Sequence, residues 1–465
     1  MTRYSRFALG LPIVLACVAP AIAQTSSLSL PPYQKVALRN GLTLFLMEQH
    51  EVPIVSVSAI VKAGSTADPA GKEGVASIAA ALLRRGTNTR SANQFADELD
   101  FIGASFGAST SVDATRVSAE FMKKDLGRGL DLVADALLRP AFAADEVAKL
   151  VAQRVDGIKA AKDRAAGVIG TYFNAYLYGK HPYARPAGGD ETSLASITRD
   201  DVAKFYETYY TPSSTVIAVV GDFVTADMAK QLTALLSSWP ARTAPPVNVP
   251  DAVAVTGKKL LLVDKPDATQ TYFRIGNVGI SRSNPDRVTI DIVNTLFGGR
   301  FTSMLNSELR IKSGLTYGAG SSFAELKAKG PFAINSYTSN ANTERAIDLT
   351  LETLKRLHEK GITEDELKSA KAYVKGQFPP EIEASNQLAA VLTDLTFHGL
   401  DEREINGYYA TVDGATMADV TRVIKQYFPL DNMVFVLIGK AVEIEPLAKK
   451  YAPVVDKKSI RALGF

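Results

Sequence analysis

The run LFGGRFTSMLNSELRIKSGLTY, residues 296–317, compresses a glycine turn, a short helix and the entry to a strand into one stretch. Phe301, Met304, Leu305, Leu309 and Ile311 recur at helical spacing, which lays the segment on a core and turns Ser307, Arg310 and Lys312 toward its polar side. Gly314, just past the last periodic residue, reads as a left-handed cap, and the chain from Leu315 reads as a strand that takes in Tyr317. Arg310 then sits in a last helical turn and Tyr317 in the next element. At such a junction a guanidinium and a phenol can hold a peptide carbonyl between them. The plainer reading is structural: Arg310 complements the helix dipole, and Tyr317 lies half in core and half in solvent.

Upstream of this stretch the composition shifts to Pro240, Pro245, Pro246 and Pro250 with few large apolar residues, which marks residues 240–256 as a linker near the middle of the chain. The half that follows, 257–465, repeats the half before it, 35–239. Matched residues lie 218 positions apart (201 and 419, 209 and 427, 221 and 439), with Thr215-Val216-Ile217-Ala218-Val219-Val220 answering Met433-Val434-Phe435-Val436-Leu437-Ile438. Pro212 and Pro429 break the offset by one residue, inside a loop. In the first half, strands are expected at 36–47 around an Arg39-Asn40-Gly41 turn, at 55–63, and as a hairpin of 105–110 and 115–122. Helices are expected at 75–85, from Ser91 to about 103, over much of 124–178, at 192–209 and after Thr225. Two similar α+β domains follow, each an antiparallel sheet with helices packed on one side.

A chain of 465 residues with 46% hydrophobic and 22% charged residues is ordinary globular material, too long for a single core. Its 52 Lys+Arg against 49 Asp+Glu leave a net charge of +3 with no basic tract, which argues against nucleic acid as a partner. Arg3 and Arg6 precede an apolar run from Phe7 to Val18, and Ala21-Ile22-Ala23 supplies the small residues of a cleavage site. Residues 1–23 therefore read as a secretory signal, cleaved after Ala23, and 24–34 as a flexible leader, making the mature protein periplasmic. The rival is a lipoprotein signal ending at Cys17, which would become the anchored first residue. Cys17 is the only cysteine, so the chain cleaved after Ala23 has no disulfide, thiolate metal site or cysteine nucleophile.

The first half also carries Asn40-Gly41-Leu42-Thr43, Pro53-Ile54-Val55-Ser56-Val57, Ala63-Gly64-Ser65 and Gly71-Lys72-Glu73-Gly74-Val75-Ala76, leading to Leu83, Gly86 and Thr87. With these and Leu309-Arg310 followed by Gly314-Leu315-Thr316-Tyr317, the chain from about Lys35 onward resembles the insulysin and mitochondrial processing peptidase family, metallopeptidases with the inverted zinc motif H-x-x-E-H.

The resemblance puts Ser77 where the first zinc histidine belongs, Ala80 at the general-base glutamate and Ala81 at the second histidine. The third ligand, a glutamate about 76 residues further on in the family, falls on Gly157, and the adjacent Asp156 points elsewhere on a helix. Zinc catalysis needs three protein ligands and an open position, so no cofactor is expected in this chain. His50, His181, His358 and His398 are too dispersed to rebuild the site and read as surface or loop residues. Arg310 and Tyr317 keep the family's seven-residue spacing for the pair that holds the scissile carbonyl and stabilises its oxyanion. Some bacterial members divide the work, one chain bearing zinc and its homologous partner bearing this pair. The glycine-rich loop of the processing peptidase's non-catalytic subunit is missing, with only Gly298-Gly299 in that region. The expectation is an exported, zinc-less subunit of a two-chain metalloendopeptidase, inactive alone, acting on extended peptides beside a zinc-bearing partner and lacking a membrane segment. The alternative is a non-catalytic structural or substrate-binding subunit.

Overall fold

The computed structural model describes residues 29–465, so the expected signal at 1–23 and Cys17 lie outside the described residues. Six strands of the first half, β1 (Gln34–Ala37), β2 (Thr43–Glu48), β3 (Ile54–Val61), β4 (Ser105–Thr110), β5 (Thr115–Met122) and β6 (Thr215–Gly221), form one sheet in the order β1-β2-β6-β3-β5-β4. Six of the second half, β7 (Lys258–Asp264), β8 (Gln270–Val278), β9 (Ala319–Phe323), β10 (Pro331–Ser339), β11 (Met433–Gly439) and β12 (Val454–Ser459), form another in the order β12-β7-β11-β8-β10-β9. β6 and β11 begin and end 218 residues apart, and the helices before them, Arg199–Tyr209 and Met417–Tyr427, open on identical capping boxes, Thr198 with Asp201 and Thr416 with Asp419. The repeat is therefore structural as well as sequential. Residues 240–256 carry no regular structure.

Both halves are α+β, but the sheets are not wholly antiparallel. The last long strand of each half inserts between two earlier neighbours in sequence, β6 between β2 and β3 and β11 between β7 and β8, and runs parallel to one of them, β6 to β2 and β11 to β7, while β12 lies parallel to β7 at the edge. Strands this far apart in sequence are joined through helices, which permits the parallel crossover. Every residue of β6 and β11 is buried, the continuous apolar run of a strand covered on both faces.

Two sources supply that cover. On one face of the first sheet, Leu44, Leu46, Val57, Ile217 and Val219 join a core with the half's own helices. On the other, Phe45, Met47, Val216, Ala218 and Val220 join the core of the second half. The helix Ser385–His398 of the second half packs on β3 and β6, and the helix Ala165–Tyr178 of the first half packs on β8 and β11. Each half thus lends one helix to the other's sheet. The sequence reading placed helices on one side only; an exchanged helix covers the opposite side.

The stretch read as a flexible leader is docked from residue 29 onward. Leu30 is buried in the second half's core with its N–H donated to Asn406 Oδ1 at 2.9 Å, and the Tyr33 hydroxyl donates to Glu402. No helix among the described residues is long and apolar enough to cross a membrane.

Candidate active site

The segment at 296–317 is built from two π-helical turns, Thr295–Gly299 and Ser307–Lys312, separated by the helical turn Met304–Asn306 that Ser303 caps. Gly298 is required at the first: a Cβ there would lie 2.3 Å from Ser321 Oγ on β9. Gly314 ends the second at φ +64°, with its N–H donated to the Arg310 carbonyl and the Leu315 N–H to the Leu309 carbonyl. Leu305 and Leu309 are fully buried, as the periodicity implies, but Phe301 (62% exposed) and Ile311 (59%) face out. The wider π-turn carries Ile311 off the core stripe, and Phe301 precedes the cap. Tyr317 lies outside the strand, two residues before β9 begins.

These departures assemble the site. The Arg310 guanidinium lies 4.2 Å from the Tyr317 ring centre and 4.9 Å from that of Phe301, both within cation–π range. It has no ion pair or hydrogen bond among the described residues, and the nearest carboxylate in sequence, Glu308, is occupied by Lys312 and Arg356, each at 2.9 Å. Burial pushes the Glu308 carboxyl up, but these two cations outweigh it and hold it below the usual range. Arg310 is therefore oriented by stacking alone and keeps its donor fork for a ligand. Tyr317 is 74% exposed, and its ring stands on a fixed backbone. Thr338 Oγ1 donates to the Leu315 carbonyl at 2.6 Å, and Ser336 Oγ donates to Gly318 O at 2.9 Å. The sequence reading missed these two β10 hydroxyls, whose signal was a polar alternation, Ser336 and Thr338, continuing the face that Phe332 and Ile334 begin.

The other half of the expected chemistry is missing. Ser77 and Ala81 stand half-exposed one turn apart on the helix Val75–Leu82, Ala80 is buried at 1% exposure, and Gly157 is exposed on the helix Ala144–Lys162. Asp156 points away and pairs with Lys159 at 3.3 Å. One hydroxyl and three positions without a donor do not fit zinc, and among the described residues no group of three His, Cys, Asp or Glu side chains is arranged to hold a metal. The helix bearing the altered motif is nevertheless carefully terminated: Asp68, unnoticed in the sequence, accepts from the N–H groups of Gly74 at 2.6 Å and Ala76 at 3.0 Å. Burial pushes the Asp68 carboxyl up to about 7 against the pull of those donors. The histidines are scattered, but not all on loops. His50 is exposed beside Asp222 and Glu48, His181 bonds the Pro250 carbonyl, His358 reaches Phe428 O from a helix, and His398 ends a helix half-buried. None hydrogen-bonds to Ser77 or Gly157 among the described residues.

A cavity of about 1120 Å³ lies between the halves, with Gly157 on the first-half wall and Gly318, next to Tyr317, on the second. Gly157 and the end of the Arg310/Tyr317 segment thus border one space.

Two family models match in succession, the insulinase peptidase family (M16) over residues 44–191 and the description "Peptidase M16 inactive domain" over 196–374. The chain belongs to the insulinase family of peptidases. Among its insulinase-family relatives are an uncharacterized zinc protease of Mycobacterium leprae, 27% identical over 84% of this chain and 88% of that one, and the zinc protease PqqE of Helicobacter pylori, 26% identical over 90% and 95%. A crystal structure of a peptidase M16 inactive domain from Pseudomonas fluorescens superposes with a TM-score of 0.83 at 26% identity, covering 88% of this chain and 98% of that one.

Proposed function

We propose that this insulinase-family chain is the zinc-less subunit of an exported two-chain zinc metalloendopeptidase, to which it contributes Arg310 and Tyr317 while a homologous partner subunit holds the metal. The observation that carries this reading is the unpaired Arg310 guanidinium, stacked between Phe301 and Tyr317 on a surface that a purely structural role would leave unconstrained. Its fork presents donors to a peptide carbonyl. The Tyr317 hydroxyl, exposed on a pinned backbone, donates to the oxygen on which negative charge develops as that carbonyl becomes tetrahedral. Zinc, and the water it activates, belong to the partner. Extended peptides are the substrates: the edge strand β4 accepts an added strand through main-chain hydrogen bonds with little sequence preference. The mature N-terminus is Gln24 and the compartment the periplasm.

Copurification from the native cell tests the subunit reading. A homologous chain bearing an intact inverted zinc motif should travel with this one, and the pure chain alone should contain no stoichiometric zinc and cleave no peptide. Chelator-sensitive cleavage by the isolated chain, with about one tightly held zinc, would overturn it.

A further inference from the structure

Arg274 sits in the middle of the second sheet, on β8, paired with Asn335 of β10 and Val436 of β11. A charged side chain at a central strand position is expensive unless something compensates it. Its guanidinium lies under the borrowed helix Ala165–Tyr178, 5.2 Å from the Phe173 ring. The fit is close: a Cβ on Gly170 would stand 2.8 Å from Nη1, so a larger residue at that turn would push the guanidinium aside. Among the described residues Arg274 makes no ion pair, and its Nε atom is shut from solvent with no hydrogen-bond partner. Burial pulls its pKa below the usual guanidinium value.

Arg274 lines the 1120 Å³ cavity, and the composition of that cavity says what would complete it. Arg154 and Arg185 also line it, whereas among the described residues no Asp, Glu or Lys does. Arg185 is engaged with the Asp68 carbonyl and Glu73, but among the described residues Arg154 has no ion pair. Asn174, one turn beyond Gly170, borders the same space with its side-chain oxygen buried and unpartnered. The stacked pair Tyr272 and Tyr337, 5.0 Å between ring centres, supplies an apolar floor next to Arg274. An unanswered guanidinium, an unanswered amide oxygen and an aromatic floor call for a ligand with a carboxylate, an N–H donor and apolar surface. That is the chemistry of a peptide.

We infer that the cavity between the halves is a peptide-binding site in which Arg274 anchors a carboxylate, either an acidic side chain or a peptide's C-terminus. The site belongs to this chain alone and does not depend on the subunit reading. Binding is therefore measured on the isolated full chain, by fluorescence anisotropy with three labelled octapeptides: one with a central Glu and an amidated C-terminus, its Gln analogue also amidated, and the Gln analogue with a free C-terminal carboxylate. A charge-assisted pair at a desolvated site gives a carboxylate peptide about ten- to a hundredfold tighter binding than the neutral one. Preference for the first peptide assigns the side chain, and preference for the third assigns the terminus. Arg274→Met should abolish the preference and leave the neutral peptide's affinity in place, without lowering Tm, because it removes a buried charge that has no counter-ion. Gly170→Ala keeps the arginine but displaces it, and should weaken the preference independently. Equal binding of all three peptides, or a preference that survives both variants, would overturn the inference.

Discussion

Restoring the family's ligands as Ser77→His, Ala81→His and Gly157→Glu asks whether zinc was lost at the side chains alone. The backbone keeps the places. Positions 77 and 81 are both half-exposed on the helix Val75–Leu82, and the i, i+4 relation brings their Cβ atoms to about 5–6 Å. A Cβ at 157 meets no atom within 4 Å, and its helix packs against Val75–Leu82. The two histidines cost up to about 1 kcal/mol in helix propensity, and replacing a mid-helix glycine returns about 0.5–1 kcal/mol. The metal-free variant should therefore unfold within about 1 kcal/mol of the parent. Zinc at a hundred times its Kd then adds about 2.7 kcal/mol, a rise of about 5–10 °C in Tm for a unit of this size. Ala80 stays in place, so the variant lacks a general base and should bind zinc without cleaving peptide. The assay is elemental analysis after dialysis, with thermal unfolding with and without chelator. No zinc uptake and an unchanged Tm would refute the claim that these helices preserve the geometry of the ligand site.

The buried Asp135 offers a pH test: burial pushes its carboxyl up, but hydrogen bonds from Thr87, Thr89, Arg139 and Arg90 outweigh this and bring it from 3.8 to about 2. A depressed carboxylate contributes its stability above the ordinary value and loses it as pH falls through about 2, so Asp135→Asn should cost about 2 kcal/mol at pH 7. In urea titrations the gap to wild type should stay flat down to about pH 5 and close toward pH 2; a gap independent of pH would contradict the assignment. Phe301→Ala removes one of the two rings that orient Arg310 and, being an exposed substitution, should leave Tm unchanged while lowering kcat/KM of the assembled peptidase about two- to fivefold. For export, intact mass of the protein from its native cell should give an N-terminus at Gln24; a diacylated Cys17 would decide for the lipoprotein form.

The halves were legible because their central strands are continuous apolar runs and the 218-residue offset fixes which element answers which. The alternating segments 105–110 and 115–122 announced the β4–β5 hairpin in the same direct way. The exchange of helices was not legible: Ala165–Tyr178 and Ser385–His398 are apolar enough to pack anywhere, and nothing local says that the partner sheet belongs to the other half. Arg310 and Tyr317 were found through the spacing of the pair, but their surroundings were misread. Periodicity at 3.6 residues assigns Phe301 and Ile311 to the core, and a π-turn does not keep that period. The docking of Leu30 and Tyr33, inside the stretch read as a flexible leader, was not legible because their partners, Asn406 and Glu402, lie more than 360 positions away. Arg274 was invisible for a related reason: a single charge in a strand ordinarily marks a solvent face, and only the borrowed helix shows that this one is enclosed.

The role of Arg310 and Tyr317 is tested most directly by steady-state peptide cleavage with the zinc-bearing partner assembled with variants of this chain, assembly being checked by size-exclusion chromatography. Tyr317→Phe removes one hydroxyl from an exposed ring and should lower kcat of the complex by about 10²- to 10³-fold, although the metal lies in the other chain. Arg310→Ala should also raise KM, since its fork holds the carbonyl in ground state and transition state alike, and Arg310→Lys should rescue it poorly. Full activity in an assembled complex carrying both Tyr317→Phe and Arg310→Ala would contradict the catalytic role and leave a structural subunit.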